Sequence, residues 1–431
     1  MEYLIIILCF LILLLLGLPV AFTLITVGAA ILFINMGGEV ASIQVPQVIY
    51  NALNSSLLVA IPSFILAGQI IIRSGIGSLA FKAADKWFGH LPGGLAIATI
   101  ICCAFFSSLS GSSLATLLTF GYLASEEMIR IGYPKKFAYG LLAGTGTLGI
   151  LIPPSTPMIL YSAMTSQSAS DLFIGATFPS LIIVVLFLAY VMFYARKLPR
   201  KEKAPMSERI RSLREIVWIF LIPLVIVGGI YSGIFTVTES AGISCVVSIF
   251  LAVFVYRTVK WKELIDVLKA AATNTGMICL ILGGAMLFGF SITLIELPQM
   301  IQTFFEDINL NKWAFLAVLS LLLIVLGMFM EVVSILMIVT PIMYPIMLSY
   351  GFDLVWFGIY LVILLEVAVI TPPVGMNLFI MMQVSEKHKN KFDIIQMSKA
   401  ALPYVVLMAV LVLIIILFPS LVTWLPNIIE T

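Results

Sequence analysis

Charge is the scarcest ingredient of this chain. Lys, Arg, Asp and Glu supply 10% of its 431 residues, against about 25% in a soluble domain. So little charge cannot solvate a whole protein surface, which excludes an ordinary soluble enzyme. The formal net charge is +2, and no basic stripe with interleaved aromatics occurs outside the loops, so no nucleic-acid partner is expected. There are two histidines, His90 and His388, far apart and each near basic residues; they read as surface residues. Cys9, Cys102, Cys103, Cys245 and Cys279 all fall in apolar segments, with no C-x-x-C spacing, and read as small core residues, not as a metal or redox set. Neither an HExxH motif nor a Gly-rich P-loop is present, so neither zinc nor ATP chemistry is expected. An intramembrane enzyme would need a convergent carboxylate pair, zinc triad or Ser/His dyad, and both histidines lie outside the apolar centres. No enzymatic activity is expected.

What the chain has instead is apolar length. Hydrophobic residues make up 62% of it and the mean hydropathy is +1.17. A helix needs about 20 apolar residues to cross a bilayer, so the length allows roughly ten or more spans and little soluble domain. The expected fold class is an all-α polytopic membrane protein. Simple spans are expected at 4–34, 48–72, 174–194, 216–234, 241–256, 273–294 and 402–424. The first has no basic n-region and no small-residue cleavage site and is too long for a signal peptide. It reads as a retained helix bent near Gly17-Leu18-Pro19.

Two further units are not simple. Ile152-Pro153-Pro154-Ser155 and Thr371-Pro372-Pro373-Val374 each interrupt an apolar stretch, and 372 − 153 and 373 − 154 both give 219. Paired prolines remove two donors and forbid a continuous helix. In a bilayer core, broken backbone persists only where protein buries it or where it lines a wet cavity. Each broken segment, 134–166 and 355–384, follows a long apolar stretch with a small or polar centre. The first, 94–130, carries Ser107-Ser108-Leu109-Ser110-Gly111-Ser112-Ser113, and the second, 313–350, carries Gly327 and Glu331. Each stretch is long enough for a helical hairpin. The order hairpin, then broken helix, occurs twice, as in secondary transporters built from repeats.

Charge placement predicts that the repeats are inverted. Arg130, Lys135 and Lys136 mark the base of the first hairpin, whereas the second hairpin's base, 349–354, has no Lys or Arg. The far end of the first broken helix, 166–171, has no base, whereas its counterpart has Lys387, Lys389 and Lys391. Because positive loops stay cytoplasmic, the first hairpin opens toward the cytoplasm and the second away from it. The chain divides into a first repeat (1–195), a cytoplasmic basic linker (196–215, with Arg196, Lys197, Arg200, Lys201, Lys203, Arg209, Arg211 and Arg214) and a second repeat (216–431). Arg257, Lys260, Lys262 and Lys269 suggest an amphipathic helix in the interface, as does 81–90 with Lys82, Lys86 and Trp87. These runs set topology; contact with anionic membrane lipids is the alternative.

The chemistry is expected at the breaks. A helix end leaves carbonyls that suit a hard cation, and a helix start leaves N–H groups and a positive dipole end that suit an anion. Hydroxyls of Ser110, Ser112, Ser113 and Ser155 add neutral donors and acceptors. By the 219-residue offset, Gly327 corresponds to Ser108, Ala368 to Gly149, Thr371 to Ile152 and Val374 to Ser155. Glu331 at the second tip and Glu366 in the second broken helix are intramembrane carboxylates, functional by default. Their structural alternatives are a tip-bracing hydrogen bond and pairing with a distant partner. The run Gly144-Thr145-Gly146-Thr147-Leu148-Gly149 reads as a small-residue helix contact. No Lys or Arg falls in the apolar centre of either unit. An anionic substrate would then rest on dipoles and neutral donors, its charge offset by co-transported cations.

Phe106-Ser107-Ser108-Leu109-Ser110-Gly111-Ser112-Ser113-Leu114-Ala115-Thr116 and Gly149-Ile150-Leu151-Ile152-Pro153-Pro154-Ser155 resemble the first hairpin and first broken helix of the large membrane subunit of TRAP (tripartite ATP-independent periplasmic) transporters. Thr340-Pro341-Ile342 and Thr371-Pro372-Pro373-Val374-Gly375-Met376-Asn377-Leu378 resemble the second unit. The resemblance covers essentially the whole chain. It implies a Na⁺-driven importer of organic acids such as sialic acid or C4-dicarboxylates, moving as an elevator in a bacterial inner membrane. It also implies a small four-helix membrane subunit and a periplasmic substrate-binding protein as partners. Matched onto this sequence, the family layout places one Na⁺ near Ser108, Gly149, Ile152 and Ser155 and another near Gly327, Ala368, Thr371 and Val374. Ser110, Ser112, Ser113 and Ser155 are then the substrate contacts, and Pro153, Pro154, Pro372, Pro373 and Asn377 support the breaks. One departure is the second tip, Glu331-Val332-Val333-Ser334, where the family more often has Asp and small polar residues. A standalone Na⁺ or H⁺/carboxylate symporter of similar architecture, needing no binding protein, is the competing reading.

Overall fold

Proline, glycine and serine positions decide where the helices of this protein stop. In the computed structural model, which describes residues 2–194, 198–308, 310–387 and 391–429, every regular element is helical and the described residues contain no strand. Arg196, Lys197, His388 and Lys389 lie outside the described residues. Among the described residues, eight helical stretches are long and apolar enough to cross a membrane, and several shorter apolar helices accompany them.

The first hairpin consists of Gly94–Ser110 and Ser113–Arg130. Its broken helix runs through Lys135–Gly146 and Leu148–Leu151, stops at Ile152, and resumes as Thr156–Thr165. The second hairpin consists of Lys312–Gly327 and Val332–Ser349, and its broken helix of Leu354–Val369 and Met376–Lys387. The Pro153-Pro154 and Pro372-Pro373 peptide bonds are both cis. Adding 219 to the bounds of Ser113–Arg130 gives those of Val332–Ser349. The caps follow the same spacing: Ser112 accepts the Ala115 N–H at 3.4 Å, and Glu331 accepts the Ser334 N–H at 3.3 Å.

Each hairpin is preceded by an amphipathic helix entered through a left-handed residue. Gly75 (φ +69°) leads into Ile76–Phe88, and Glu296 (φ +57°) into Leu297–Asp307. The first falls where amphipathicity suggested a helix near 81–90. The second was not read from sequence, because 297–307 carries only acidic charges near its end.

Several simple spans are more articulated than hydropathy suggests. Region 4–34 is two helices, Glu2–Leu15 and Val20–Met36, parted at Gly17 (φ +82°). Region 48–72 is also two, Gly38–Leu53 and Ala60–Arg73, separated at Asn54-Ser55 and a short 3₁₀ turn. The polar Asn-Ser-Ser run offers the backbone local partners that compete with the helix. Region 402–424 breaks at Phe418-Pro419, between Ile394–Leu417 and Ser420–Ile429. In the other direction, the basic stretch expected as a separate interface helix forms the opening turns of one 34-residue helix, Trp261–Leu294. Nothing between Lys262 and Lys269 breaks a helix, so it runs straight into the span. Half of the basic linker is helical as well, Met206–Ile216.

The halves interleave. Lys135–Gly146 packs along Ile394–Leu417, and Thr156–Thr165 meets the second broken helix, where the Tyr161 hydroxyl donates to the Leu354 carbonyl at 2.7 Å. Gly144 packs against Tyr404 and Gly146 against Leu117, the small-residue contacts expected of that run. Trp261–Leu294 lies along Val20–Met36, and Ala60–Arg73 along Val237–Phe250.

The linker is clasped to the first unit. Lys201 Nζ lies 2.6 Å from Asp85 and 2.7 Å from Glu127, and Lys201 N–H donates to the Gly89 carbonyl at 3.2 Å. Partial burial opposes the Lys201 charge, yet hydrogen bonds and attraction from Asp85 and Glu127 hold its ammonium above the ordinary lysine range. Arg209 stacks over Trp87 at 4.5 Å and donates to its carbonyl at 2.9 Å. Lys201→Met leaves Asp85 without its cation and Glu127 with Arg130 alone. It is expected to lower the Tm of the detergent-solubilised protein by several degrees, whereas Lys203→Met is expected to leave it unchanged; differential scanning fluorimetry compares the two.

Candidate functional site

Both hairpin tips and both resumed helices converge on one cavity of about 260 Å³, which Ala60–Arg73 and Trp261–Leu294 also line. The first tip contributes Ser110, Gly111, Ser112 and Ser113, and the second contributes Glu331. From the broken helices come Thr156 and Asn377.

The tip geometry follows from its residue types. Gly111 (φ +56°) ends the first arm by accepting a left-handed conformation that a side chain disfavours. Ser112 is extended and caps the second arm with its hydroxyl, leaving the first N–H groups of an 18-residue helix at the cavity. Ser110 Oγ lies 3.5 Å from Thr116 Oγ1 across the turn. Ser113 donates its hydroxyl to Glu366 Oε1, on a residue that does not line the cavity, at 2.8 Å. This bond joins the first hairpin to the second broken helix, 253 residues apart.

The first break packs directly beneath this tip. A Cβ on Gly149 would lie 2.5 Å from Ser112 O and from Ser113 N and Cα, and a Cβ on Gly111 would lie 2.7 Å from Pro154 O. Pro153, Pro154 and Ser155 are buried. Ser155 Oγ is fully buried and has no hydrogen-bond partner, but Ser155 does not line the cavity. Ser108 donates its hydroxyl to the Phe105 carbonyl at 2.6 Å, and Ile152 N–H bonds back to Leu148.

The second break has the same plan in a different setting. Gly327 packs against Ala368, as Gly149 packs against the first tip, and Gly375 N–H donates to the Met328 carbonyl at 3.2 Å. Thr371 donates its hydroxyl to Val367, whereas Pro372, Pro373 and Val374 are exposed. None of Gly327, Ala368, Thr371 and Val374 lines the cavity. Glu331 Oε2 accepts from the Val333 and Ser334 N–H groups at 3.1 and 3.3 Å, so the carboxylate braces its tip while facing the cavity. Glu366 is fully buried, and its Oε2 has no hydrogen-bond partner.

The structure therefore gathers Ser110, Ser112, Ser113, Glu331 and Asn377 in one place. It packs the first break, with Ser155 buried, against the first tip. Three polar lining residues escaped the sequence reading: Gln69, Asn274 and Thr156. Gln69 had a usable signal, a lone amide in the apolar run 64–72. Asn274 did not, because it borders the polar start of its helix.

Among the described residues, helices long and apolar enough to cross a membrane and two hairpin tips meeting at one cavity fit the class of membrane transporters. The family model "Tripartite ATP-independent periplasmic transporter, DctM component" matches residues 7–421, and the chain belongs to that family, as a large permease subunit. It is 38% identical over 372 residues to the C4-dicarboxylate TRAP transporter large permease protein DctM of Pseudomonas aeruginosa, covering 86% of each chain. It is 31% identical over 413 residues to the sialic acid TRAP transporter large permease protein SiaM of Vibrio cholerae, covering 95% of each. Among solved structures, Neisseria gonorrhoeae MtrF shares the fold with a TM-score of 0.64 at 12% identity, over 89% of this chain and 84% of that one.

Proposed function

We propose that this chain is the transport subunit of a Na⁺-driven importer of a small organic acid in a bacterial inner membrane. The observation that carries this reading is the convergence of both tips and both resumed helices on one cavity whose lining holds no Lys, Arg or His among the described residues. An anion held there meets helix N-terminal N–H groups and neutral hydroxyls, with its charge offset by cargo cations. Relatives named for C4-dicarboxylates and sialic acid supply the carboxylate class.

Na⁺ suits carbonyl and hydroxyl oxygens. The first break offers these around Ser108, Gly149, Ile152 and Ser155, where a buried hydroxyl already lacks a partner. The second offers carbonyls around Gly327, Ala368, Thr371 and Val374. The recurrence of helix limits at a 219-residue spacing supports an inverted repeat, with charge placement giving the inversion. The two amphipathic helices that precede the hairpins, each entered at a positive φ, are joints about which a hairpin-and-broken-helix body can move against the long helices. That is the arrangement an elevator needs. Family membership brings with it a small four-helix membrane subunit and a periplasmic binding protein that delivers the acid.

The test is uptake of radiolabelled N-acetylneuraminate and succinate into proteoliposomes holding both membrane subunits. Uptake of at least one acid is expected to require the cognate binding protein and a Na⁺ gradient, and to vanish when K⁺ replaces Na⁺. Uptake driven by a pH gradient without Na⁺ would replace Na⁺ coupling with proton coupling. Uptake indifferent to the binding protein would point to a standalone symporter.

A further inference from the structure

The helix of the basic linker leaves an apolar face open. Met206–Ile216 buries Ser212 and Ile216 and packs on Ile76–Phe88. Two links fasten it there: Trp87 Nε1 donates to the Arg209 carbonyl at 3.0 Å, and Lys86 Nζ lies 3.3 Å from Glu208. Next to this packed side run Met206, Ile210 and Leu213, spaced by four and three residues, and Val217 continues the row. Each of the four is at least 39% exposed. At about 100° per residue they fall within about 60° of one another around the helix axis. Arginines flank the row at equal angles. Arg209, on the packed side, is taken up by Trp87. Arg214, on the open side, has no ion pair or hydrogen bond among the described residues.

Two observations say what covers this face. The first is where the helix leads. It passes without a loop into Val217–Phe220, within a stretch to Tyr231 that is long and apolar enough to cross a membrane. Trp218, at the junction, is 54% exposed, as suits an aromatic ring at headgroup level. Five charged residues in eleven keep Met206–Ile216 out of the hydrocarbon, while its open stripe is continuous with the apolar stretch. The second is the placement of charge. Glu208 and Glu215 both fall about half a turn from the stripe. Arg211 is 81% exposed, with only the exposed Glu215 near it at 3.4 Å. A partner on this side therefore meets apolar contact with free guanidinium groups beside it, the order in which a phospholipid presents acyl chains and phosphate. We infer that 206–217 is an interfacial anchor, bedded in the cytoplasmic leaflet with Arg211 and Arg214 on anionic phospholipid headgroups. Gly77 and Phe81 of the helix it clasps pack on Thr119 and Phe120 of the first hairpin, so the anchor steadies that hairpin as well.

Hydrogen–deuterium exchange of the full chain in nanodiscs tests this with a local readout. Peptides covering 206–216 are followed in phosphatidylethanolamine mixed with either phosphatidylglycerol or phosphatidylcholine. Exchange is expected to be at least about fivefold slower with phosphatidylglycerol, the effect of about one arginine at an anionic surface. About 1 M KCl is expected to erase that difference. The double variant Arg211→Gln/Arg214→Gln is expected to erase it too, with the melting temperature unchanged. Ile210→Asn is expected to speed exchange of 206–216 in both lipid mixtures, while peptides from Gly94–Ser110 exchange as in the wild type. Equal exchange in the two mixtures would overturn the assignment of anionic lipid. Wild-type exchange by Ile210→Asn would overturn the anchor itself. So would protection that appears only when the small membrane subunit shares the nanodisc, since the face would then belong to that protein.

Discussion

Gly149→Ala is expected to abolish uptake while the protein still reaches the membrane. The added methyl would lie 2.5 Å from the carbonyl of Ser112 and from the backbone of Ser113. Backbone cannot swing aside as a side-chain end can, so the hairpin tip must lift off the broken helix. Overpacking of this kind costs about 1–3 kcal/mol, too little to unfold a large helical bundle. The position of the tip is what suffers. A displacement of about 1 Å at a positioned site can cost about 100-fold in rate, and an uptake loss of at least that size is the expected result. Gly242→Ala is the control, because nothing lies within 4 Å of its new methyl, and it should transport like the wild type. Reconstituted uptake per mole of folded protein, with size-exclusion profiles for both variants, makes the comparison. Wild-type uptake by Gly149→Ala would show that the tip and the break need not touch.

That contact was only half legible in the sequence. The Pro-Pro pairs forced two breaks, and the small or polar centres of 94–130 and 313–350 allowed a hairpin before each. These are local consequences of missing donors and turn-forming residues, and the helix limits follow them closely. The breaks at Asn54-Ser55 and Phe418-Pro419, and the continuity of Trp261–Leu294 through its basic start, were not legible from hydropathy. An average over a window does not register a single residue that stops a helix, nor a charged turn that fails to stop one.

The site shows the same division. Ser110, Ser112 and Ser113 could be singled out because hydroxyls and a glycine interrupt an apolar run. Asn274 and Thr156 belong to the cavity only through tertiary packing, and nothing in the spacing of their neighbours announces it, whereas Gln69 stands out as a lone amide in an apolar run. The difference between the two breaks is also a packing result. Ser155 is buried with its hydroxyl unpartnered, whereas Val374, its counterpart 219 residues on, is 44% exposed. Sequence alignment of the halves relates these positions, but their environments depend on which other helices cover them.

The Ser113–Glu366 hydrogen bond joins the two halves at the site, and its removal has a separable signature. Glu366 sits in an apolar helix with Ser113 as the partner of Oε1 at 2.8 Å. Glu366→Leu leaves the Ser113 hydroxyl, at the tip, without its acceptor. Leaving a buried polar group unsatisfied costs about 1–3 kcal/mol, and uptake is expected to fall at least tenfold, in line with about 1.4 kcal/mol per decade. Glu366→Gln keeps an oxygen in the same place, and uptake is expected to stay within about threefold of wild type if the bond's role is to hold the tip. Ser113→Ala should behave like Glu366→Leu, and the double variant should lose no more than either alone, since both remove the same link. Uptake measured across this cycle at saturating Na⁺ decides the matter. A dead Glu366→Gln would mean that the carboxylate's charge is required, and Glu366 would then act on the cargo cation, not on the shape of the tip.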